Sequence, residues 1–402
     1  MKNVIKILLM CTRLEITTEI ECYLKGLEIR YQLYKALDTD QLKEILSKES
    51  IDLIVLDIGL HKIGFLEILT FIKESYPHLV RILIAEEWSK ELVIKTNDLV
   101  HQIIEKSLLK DTLVDTIIRA KQMRILLKNN NLVKLINSFD ELPIMQSIYI
   151  DLLHSLGSPE VHLKRISDII EKDYALTAKV LQVSNMSVFS HIGRINSVQQ
   201  AVIFLGTNVI KAIIYYLQVF SFENHDLKEH KFIKQLESHS NKVAEFAKTC
   251  AKYYKCSQET QDHTYTAALL HDIGKLIIVT KSNQWEDIVA YANDNNTSIN
   301  NAEKTILGTT HAEIGAYLLS LWGFPIKVVN AVAYHHQPST IKQNEISPLT
   351  CVHISESLIN GESLDSQTNI YEYLDANYLE KLGIAGDLPI LLSLFNENLA
   401  GN

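Results

Sequence analysis

Five histidines and one aspartate in the second half of the sequence have the types and spacing to hold metal ions. They are His239, His271, Asp272, His311, His335 and His336. Each lies in a segment whose apolar residues recur at helical spacing, so all six are expected to face inward. One inward histidine is usually a hydrogen-bonded core residue, but an uncompensated buried aspartate costs on the order of several kcal/mol. Six such groups together predict a shared partner, and one or two metal ions would supply it.

The donor types restrict which metal ions would fit. Imidazole nitrogens with a bridging carboxylate suit Fe, Mn, Zn or Ni rather than Ca or Mg. Adjacent helical residues point about 100° apart, so His335 and His336 would approach a pocket from different angles. From spacing alone, the alternative that these are ordinary core histidines stays open.

The first 125 residues predict the elements of a parallel sheet. Short β-branched or apolar runs alternate with segments of helical spacing, and this alternation predicts a (βα)5 unit with helices on both faces. The predicted strands are Val4–Met10, Ile29–Tyr34, Ile51–Asp57, Val80–Ala85 and Val100–Glu105. The predicted helices are Leu14–Leu27, Asp40–Lys48, Gly64–Tyr76, Lys90–Asn97 and a longer one from Leu108 to Leu127. Ligands of such sheets bind at the carboxyl ends of the strands.

Asp57 ends the third predicted strand, in Asp52-Leu-Ile-Val-Leu-Asp57. With the (βα)5 pattern, this position makes residues 1–122 resemble a flavodoxin-like response-regulator receiver domain. The resemblance implies that Asp57 stands at the phosphoacceptor position and that Lys106, after the fifth strand, would contact the phosphoryl group.

Other receiver positions depart from the family pattern. The two acidic residues that would hold Mg²⁺ are replaced by Met10 and Cys11, the hydroxyl residue after the fourth strand by Ala85, and the proline after the lysine by Ser107. Phosphoryl transfer depends on positioning and charge neutralisation, and a hard divalent cation needs carboxylate oxygens. We therefore do not expect Mg²⁺ at this site. A degenerate interaction or dimerisation module is the favoured interpretation, with ordinary phosphorylation as the alternative.

From about Asn129 the strand pattern gives way to helices with short polar turns. We predict a connector helix over residues 123–138 and an all-helical domain over 139–402. The latter would have a core of 139–340 and a C-terminal helical extension of 341–402.

The histidine series and its surroundings resemble the HD superfamily of metal-dependent phosphohydrolases, and more narrowly its HDOD branch. The supporting segments are Leu142-Pro143, Asp173-Tyr-Ala-Leu176, Lys179-Val-Leu-Gln-Val-Ser-Asn185, Ile195-Asn-Ser-Val-Gln-Gln-Ala201, Leu205-Gly206, His239-Ser-Asn-Lys-Val243, Leu269-Leu-His-Asp-Ile-Gly-Lys275, His311-Ala-Glu-Ile-Gly315 and His335-His-Gln-Pro338. The resemblance implies an all-helical fold and a signalling role, usually without demonstrated catalysis.

Site roles follow from the resemblance position by position. The five histidines and Asp272 fall where HD phosphodiesterases place metal ligands, and Lys275 falls where the HD-GYP relatives place a phosphate-contacting lysine. Glu356 aligns best with their last aspartate ligand, but its extra methylene puts the second metal position in question. Gln337-Pro338-Ser339 follows the last histidine in place of Gly-Tyr-Pro, which removes the main argument for cyclic-di-GMP as a substrate. The other ten histidines, His353 among them, receive no functional role.

The composition of the chain argues against some classes of protein function and location. The chain has 402 residues, 39 Lys and Arg against 48 Asp and Glu, and a net charge of −9, so it lacks the cationic excess that binding to a phosphate backbone requires. Five cysteines without a CxxC pair suit a reducing cytoplasm. No apolar run approaches the length of about 20 residues that a membrane helix needs.

Two functional hypotheses follow. The first is a cytoplasmic signalling protein of a two-component type, in which the receiver-like module passes an input to an HDOD module that binds other signalling proteins. Homodimerisation is compatible with this hypothesis, whereas nucleic acid and membrane partners are not expected. The second is a metal-dependent phosphohydrolase or phosphodiesterase in which Lys275 would neutralise a phosphate oxygen.

Overall fold

The computed structural model divides into two units, one of Met1–Ile144 with Tyr317–Phe324 and one of Met145–Ala316 with Pro325–Asn402. The described residues are 4–11, 13–25, 30–57, 64–76, 79–86, 95, 96, 99, 100, 102–106, 109, 113, 117, 129, 131, 132, 135, 151, 152, 155, 156, 162–172, 174–184, 195, 197–220, 227–282, 284–321, 324–362 and 373–400.

The N-terminal unit is built on five parallel strands. Its described elements are β1 (Ile5–Met10), α1 (Leu14–Lys25), β2 (Tyr31–Ala36), α2 (Thr39–Lys48), β3 (Leu53–Asp57), α3 (Phe65–Ser75), β4 (Val80–Ala85) and β5 (Gln102–Glu105). The strand order is β2-β1-β3-β4-β5, which is the flavodoxin-like order of doubly wound sheets. The predicted fold class is confirmed.

The burial of the strands explains why their sequences are continuous apolar runs. Every residue of β3 and of β4 is buried, as expected for central strands of a parallel sheet covered on both faces. In this order β1 lies between β2 and β3, with Met10 opposite Ala36 and Leu56. The strand order reverses at this point, so the residues after β1 and at the end of β3 meet at the carboxyl edge of the sheet.

Most predicted strand and helix bounds agree with the structure within two residues. The second strand is displaced by two residues at both ends, because it runs over Tyr31–Ala36 instead of Ile29–Tyr34. Its register with β1, which pairs Leu9 with Lys35 and Met10 with Ala36, carries it two residues further. The predicted helices Lys90–Asn97 and Leu108–Leu127 and the connector 123–138 lie mostly outside the described residues. The proposed domain boundaries stay predictions.

The second unit is helical over its described residues. Its helices are α4 (Leu163–Ile170), α5 (Tyr174–Ser184), α6 (Val198–Phe220), α7 (Leu227–Tyr253), α8 (Gln258–Leu270), α9 (Ile273–Lys281), α10 (Trp285–Asp294), α11 (Ile299–Ile306), α12 (His311–Leu321), α13 (Ile326–Tyr334), α14 (Pro348–Glu362), α15 (Ala376–Leu382) and α16 (Leu388–Ala400). Short 3₁₀ turns occupy Pro338–Thr340 and Ala385–Asp387.

Helix α8 lies at the centre of this unit and packs against α6, α7, α13 and α14. The Ser257 hydroxyl caps its start by accepting a hydrogen bond from the Thr260 backbone N–H at 3.2 Å. Every residue from His263 to Leu270 is buried. This second half of the helix is thus buried on all faces, so it has no solvent-facing polar stripe. The residues that follow it, His271 and Asp272, are therefore delivered into the core.

Helix α6 is divided by Gly206, whose φ of 76° and ψ of 168° are not helical. Glycine adopts this backbone conformation without the steric cost that a side chain would bring. The window Val198–Tyr215 is the one described helical stretch that is long and apolar enough to cross a membrane, and 56% of it is buried. The sequence analysis expected no such stretch, and the burial is that of a core helix.

Gly274, in the first turn of α9, allows this helix to approach the start of α12. A Cβ atom at this position would lie 2.0 Å from the backbone oxygen of His311. That distance is far shorter than any normal contact, and the obstacle is backbone rather than a flexible side chain. Gly274 is therefore required for the position of His311.

Gly274→Ala is expected to destabilise the helical unit by about 1–3 kcal/mol or more, because overpacking against backbone forces the two helices apart. Urea denaturation measures this change. Gly386→Ala is the matched control, since a Cβ there meets nothing within 4 Å. Equal stability of the two variants would contradict the close approach of α9 and α12.

Candidate metal centre

All seven residues assigned as metal ligands from the sequence come together in the helical unit. His239 lies on α7, His271 and Asp272 lie between α8 and α9, His311 begins α12, His335 and His336 follow α13, and Glu356 lies on α14. Five separate parts of the chain thus supply one cluster. The Asp272 carboxylate lies at its middle, with one oxygen toward each half.

The first half of the cluster surrounds Asp272 Oδ2. This oxygen is 3.7 Å from His239 Nε2 and 3.4 Å from His271 Nε2. Glu356 Oε2 lies 2.8 Å from His239 Nε2 and 3.1 Å from His271 Nε2. One donor atom from each of the four residues lies within 4.8 Å of the others, a spacing that one metal ion could bridge. Glu356 therefore does reach the first half, despite its longer side chain.

The second half of the cluster is formed by imidazoles. Asp272 Oδ1 lies 3.2 Å from His311 Nε2 and 4.0 Å from His335 Nε2. His336 Nε2 is 3.0 Å from His311 Nε2. The three histidines offer donor atoms within 4.8 Å of one another. Asp272 therefore stands between two groups of donors and could serve both.

Hydrogen bonds orient three of the rings. His271 Nδ1 lies 2.7 Å from the Ala268 carbonyl oxygen, and His335 Nδ1 lies 2.7 Å from that of Val332. A carbonyl oxygen can only accept, so each Nδ1 carries the proton, and the lone pair of the neutral ring lies on Nε2. His311 Nδ1 is 2.6 Å from the Glu303 carboxylate. Metal-binding histidines commonly use their second nitrogen in this way.

Several buried polar atoms in the cluster lack a hydrogen-bond partner within the protein. They are His271 Nε2, His335 Nε2 and Asp272 Oδ1. His271 Nε2 is close to Glu356 Oε2 but does not have hydrogen-bond geometry with it. Each unsatisfied buried group costs about 1–3 kcal/mol. A transition metal would satisfy these atoms, and the imidazole-rich donor set fits such an ion.

Without a metal ion, protonated side chains balance the buried carboxylates. Burial opposes a charge on His271, but Asp272 and Glu356 raise the pKa of His271 to about 10. Burial would raise the pKa of Asp272, yet the positive charges of His271 and Lys275 hold it well below its usual range. Burial, together with the neighbouring His271 and His311, lowers the pKa of His335 to about 3. The first half therefore carries positive charge that a metal ion could replace, and His335 stays neutral.

Lys275 lies at the cluster, on the first turn of α9. Its ammonium donates a hydrogen bond to Asp272 Oδ2 at 2.6 Å, and its side chain is 18% exposed. Burial alone would lower the pKa of Lys275, but Asp272 and Glu356 raise it. Lys275 therefore stays charged and partly faces solvent. Its ammonium is held by a carboxylate oxygen that faces the first half.

The sequence analysis missed Glu303, which is fully buried on α11. Its carboxylate accepts hydrogen bonds from the backbone N–H of His311 at 2.8 Å and from His311 Nδ1 at 2.6 Å. This carboxylate orients His311 and favours its charged form. Polar neighbours, Asn301 and Lys304, make the local pattern look solvent-exposed. Nothing in that pattern indicates a buried glutamate.

At the carboxyl edge of the sheet in the N-terminal unit, Asp57 forms an ion pair that the sequence analysis did not predict. Asp57 is buried at the end of β3, and Arg13 contacts both of its carboxylate oxygens, with Nε 2.7 Å from Oδ2. Cys11 Sγ donates to the same oxygen at 3.1 Å. Burial and the Asp57 carboxylate raise the pKa of the Cys11 thiol to about 11. A guanidinium thus neutralises Asp57 without a metal ion.

Lys106 lies directly after β5, as predicted. Its Nζ is 3.6 Å from Glu86 Oε1, and Arg13 also forms an ion pair with Glu86. Arg13 therefore joins Asp57 to the acidic residue that follows β4. The phosphorylation roles assigned to Asp57 and Lys106 stay predictions.

Comparisons with known proteins place the metal centre in a recognised domain type. Residues 142–338 match the model of the HDOD domain. Glu356, on α14, lies beyond the matched residues.

Two curated proteins match parts of the chain. An uncharacterized protein of Treponema pallidum (strain Nichols) is 24% identical over 198 residues, which make up 49% of this chain and 38% of the relative. The uncharacterized protein YuxH of Bacillus subtilis (strain 168) is 36% identical over 88 residues, 21% of either chain. This chain thus spans well under half of the length of either relative.

A solved structure of an HDOD domain protein with unknown function, from Geobacter sulfurreducens, superposes with a TM-score of 0.53 at 20% identity. The match covers 69% of this chain and 96% of that one. At this level of identity the two proteins share a fold, and the comparison says nothing about function.

Metal binding is expected to strengthen as pH rises, because a metal ion must displace the proton that His271 holds up to a pH of about 10. Without metal, the charged His271 contributes stability below the ordinary histidine pKa and loses it as pH rises through about 10. For one released proton, apparent affinity rises about tenfold per pH unit. The measurement is the shift in melting temperature of metal-stripped protein on adding Mn²⁺, at about pH 6 and about pH 8.

His271→Gln should weaken this pH dependence, since glutamine has no proton to release. The matched control is His263→Gln, since His263 is a buried histidine outside the cluster. Equal Mn²⁺-induced shifts at both pH values in the unsubstituted protein would contradict the charge balance described above.

Proposed function

Residues 142–338 of this chain are an HDOD domain, and we propose that the chain is a signal-transduction regulator whose HDOD module acts by binding other proteins. In this proposal, the helical unit holds a transition-metal centre with a structural role. The receiver-like module provides the input without phosphoryl transfer.

Enclosure of the metal centre is the observation that carries this proposal. The side chains of His271, Asp272 and His335 have no exposed surface, and that of Glu356 is 3% exposed. Structural metal sites are closed, whereas catalytic sites keep a coordination position open to substrate.

A structural metal would join the parts of the helical unit. The donors come from α7, the α8–α9 turn, α12, the end of α13 and α14. A single ion, or two ions that share Asp272, would link segments that are up to 117 residues apart in sequence. Metal binding at such a site adds its free energy to folding. The bound ion would thereby fix the surface that a partner recognises.

The ion pair at Asp57 supports an input that does not use phosphorylation. Both oxygens of the carboxylate are engaged by Arg13, and positive charge stands near the position where a receiver binds Mg²⁺. A guanidinium repels a divalent cation and cannot coordinate it. The receiver-like unit would then act by binding other proteins or by pairing with a second copy of itself.

We also propose that the chain lies in the cytoplasm and that its partners are proteins. All five cysteines are free, in keeping with a reducing cytoplasm. The net charge of −9 favours protein partners over nucleic acid.

A metal-dependent phosphohydrolase is the second candidate, and the complete ligand set favours it. Six donor residues surround Asp272, and a charged Lys275 lies beside them. His239 and Lys275, with side chains 21% and 18% exposed, form the more accessible side of the cluster. A bound metal would supply Lewis acidity. Lys275 would bind a phosphate oxygen of the substrate after leaving Asp272.

Metal-loaded protein is expected to hydrolyse bis(p-nitrophenyl) phosphate no faster than its Asp272→Ala variant, because the buried donors leave no position for the ester. The assay follows nitrophenolate release after loading with Mn²⁺ or Fe²⁺. The matched control is His263→Gln. Hydrolysis that is lost in Asp272→Ala but kept in His263→Gln would establish the phosphohydrolase instead.

Incubation with acetyl phosphate and Mg²⁺ should leave the chain unphosphorylated, because Arg13 occupies the Asp57 carboxylate. Intact-mass spectrometry detects an added phosphoryl group. A receiver domain that accepts phosphate from acetyl phosphate serves as the positive control. A phosphoryl adduct that disappears in Asp57→Asn would refute the phosphorylation-independent input.

A further inference from the structure

His353 is a buried histidine that the metal cluster does not contain. It lies on α14, three residues before Glu356, and is 1% exposed. Both of its ring nitrogens are used within the protein. Nδ1 lies 2.7 Å from the backbone oxygen of His335, and the backbone N–H of Asp375 lies 2.9 Å from Nε2.

These two contacts define the protonation state of the ring. A backbone N–H can only donate, so Nε2 of His353 accepts and carries no proton. A carbonyl oxygen can only accept, so Nδ1 carries the proton and donates it to His335. His353 is therefore a neutral histidine of one tautomer. No lone pair is left for a metal ion, and this excludes His353 as an eighth ligand.

The contact with His335 lies at a helix end, where backbone groups need outside partners. Helix α13 ends at Tyr334, and the last carbonyls of a helix have no acceptor role within it. The carbonyl that His353 binds belongs to the peptide between His335 and His336. Fixing the plane of this peptide restricts the directions of both side chains that leave it. One hydrogen bond therefore affects two candidate ligands.

Within the second half, few described contacts hold this peptide itself, although the Val332 carbonyl oxygen orients the His335 ring from 2.7 Å. His335 Nε2 is 4.0 Å from Asp272 Oδ1, and His336 Nε2 is 3.0 Å from His311 Nε2. Neither nitrogen is joined to Asp272 by a hydrogen bond. The hydrogen bond from His353 on α14 therefore adds a support for the His335–His336 peptide from outside the cluster.

Asp375 connects His353 to the segment after the matched HDOD residues. Its carboxylate accepts from the backbone N–H of Ser339 at 3.2 Å and caps α15 by accepting from that of Tyr378 at 3.1 Å. The Tyr378 hydroxyl in turn donates to Gln343 at 2.7 Å and lies 2.8 Å from Thr350 Oγ1. Residues 373–378 are therefore anchored to the segment that follows the His335–His336 peptide and to α14.

We infer that His353 is a positioning residue, which holds His335 and His336 for the second half of the metal centre and couples that half to the segment beginning at Asp375. This inference rests on the proposed metal centre. The inference gives a role to part of the C-terminal extension. The backbone N–H of Asp375 fixes the tautomer of His353, and in that tautomer Nδ1 can donate to the His335 carbonyl oxygen.

The test is Co²⁺ titration of the metal-stripped full-length chain, followed by the ligand-field absorption of the bound ion. His353→Leu should weaken Co²⁺ binding about 10–100-fold, the usual effect of removing a hydrogen bond that orients a metal ligand. It should also change the absorption spectrum. His353→Gln, whose amide can donate to His335 and accept from Asp375, should restore much of the affinity.

A double-mutant cycle separates positioning from general stability. In a background that carries both His335→Ala and His336→Ala, His353→Leu should cause little further loss of the remaining Co²⁺ affinity, because both ligands that it positions are already absent. His263→Leu is the matched control: it removes another buried histidine of the helical unit and should leave the spectrum unchanged.

Two results would overturn the inference, and they can be told apart. Co²⁺ binding by His353→Leu equal to that of the unsubstituted chain would refute the positioning role while leaving the metal centre intact. No Co²⁺ binding by the unsubstituted chain would refute the metal centre itself, and the positioning role with it. If His353→Leu fails to fold, His353→Gln decides the question. Co²⁺ affinity and a spectrum equal to those of His263→Leu would support the positioning role. A loss of Co²⁺ affinity in His353→Gln that persists when His335 and His336 are both replaced by Ala would overturn it.

Discussion

The buried charge of Asp272 is the constraint on which the helical unit depends. Its side chain has no exposed surface, and an unpaired charge in such a place would cost on the order of several kcal/mol. The chain meets this cost by directing His239, His271, His311 and Lys275 at the same carboxylate. Those groups come from helices that must therefore pack in one arrangement. Satisfying one carboxylate thus organises much of the fold.

The two units neutralise their buried aspartates differently, and the difference suits different roles. At Asp57 the cation is Arg13, a guanidinium that stays protonated in proteins and permanently occupies the carboxylate. At Asp272 much of the compensation comes from imidazoles, which can release their protons to a metal ion. The guanidinium opposes the binding of a divalent cation at Asp57, whereas the imidazoles around Asp272 could accept one. The arrangement at Asp57 is consistent with the proposed receiver-like unit that does not use phosphoryl transfer. The arrangement at Asp272 is consistent with the proposed HDOD domain that holds a metal ion.

Residues with strong local patterns could be assigned from the sequence, and residues defined by distant contacts could not. The strands were recognisable because buried parallel strands are continuous apolar runs, and the histidine series because each member lies in an apolar helical frame. Arg13 contacts an aspartate 44 positions away, and His353 contacts a carbonyl 18 positions away. Neither has a local signature. Glu303 was hidden by its polar neighbours, although it is fully buried.

Metal content is the most direct test of the account. The protein would be expressed in medium supplemented with iron, manganese and zinc, purified without a metal-binding tag, and analysed by elemental mass spectrometry beside its Asp272→Ala variant. We expect at least one transition-metal ion per chain, and its loss in the variant. A properly folded protein with no transition metal, or with equal metal in both proteins, would contradict the claim that the Asp272 cluster is a metal centre.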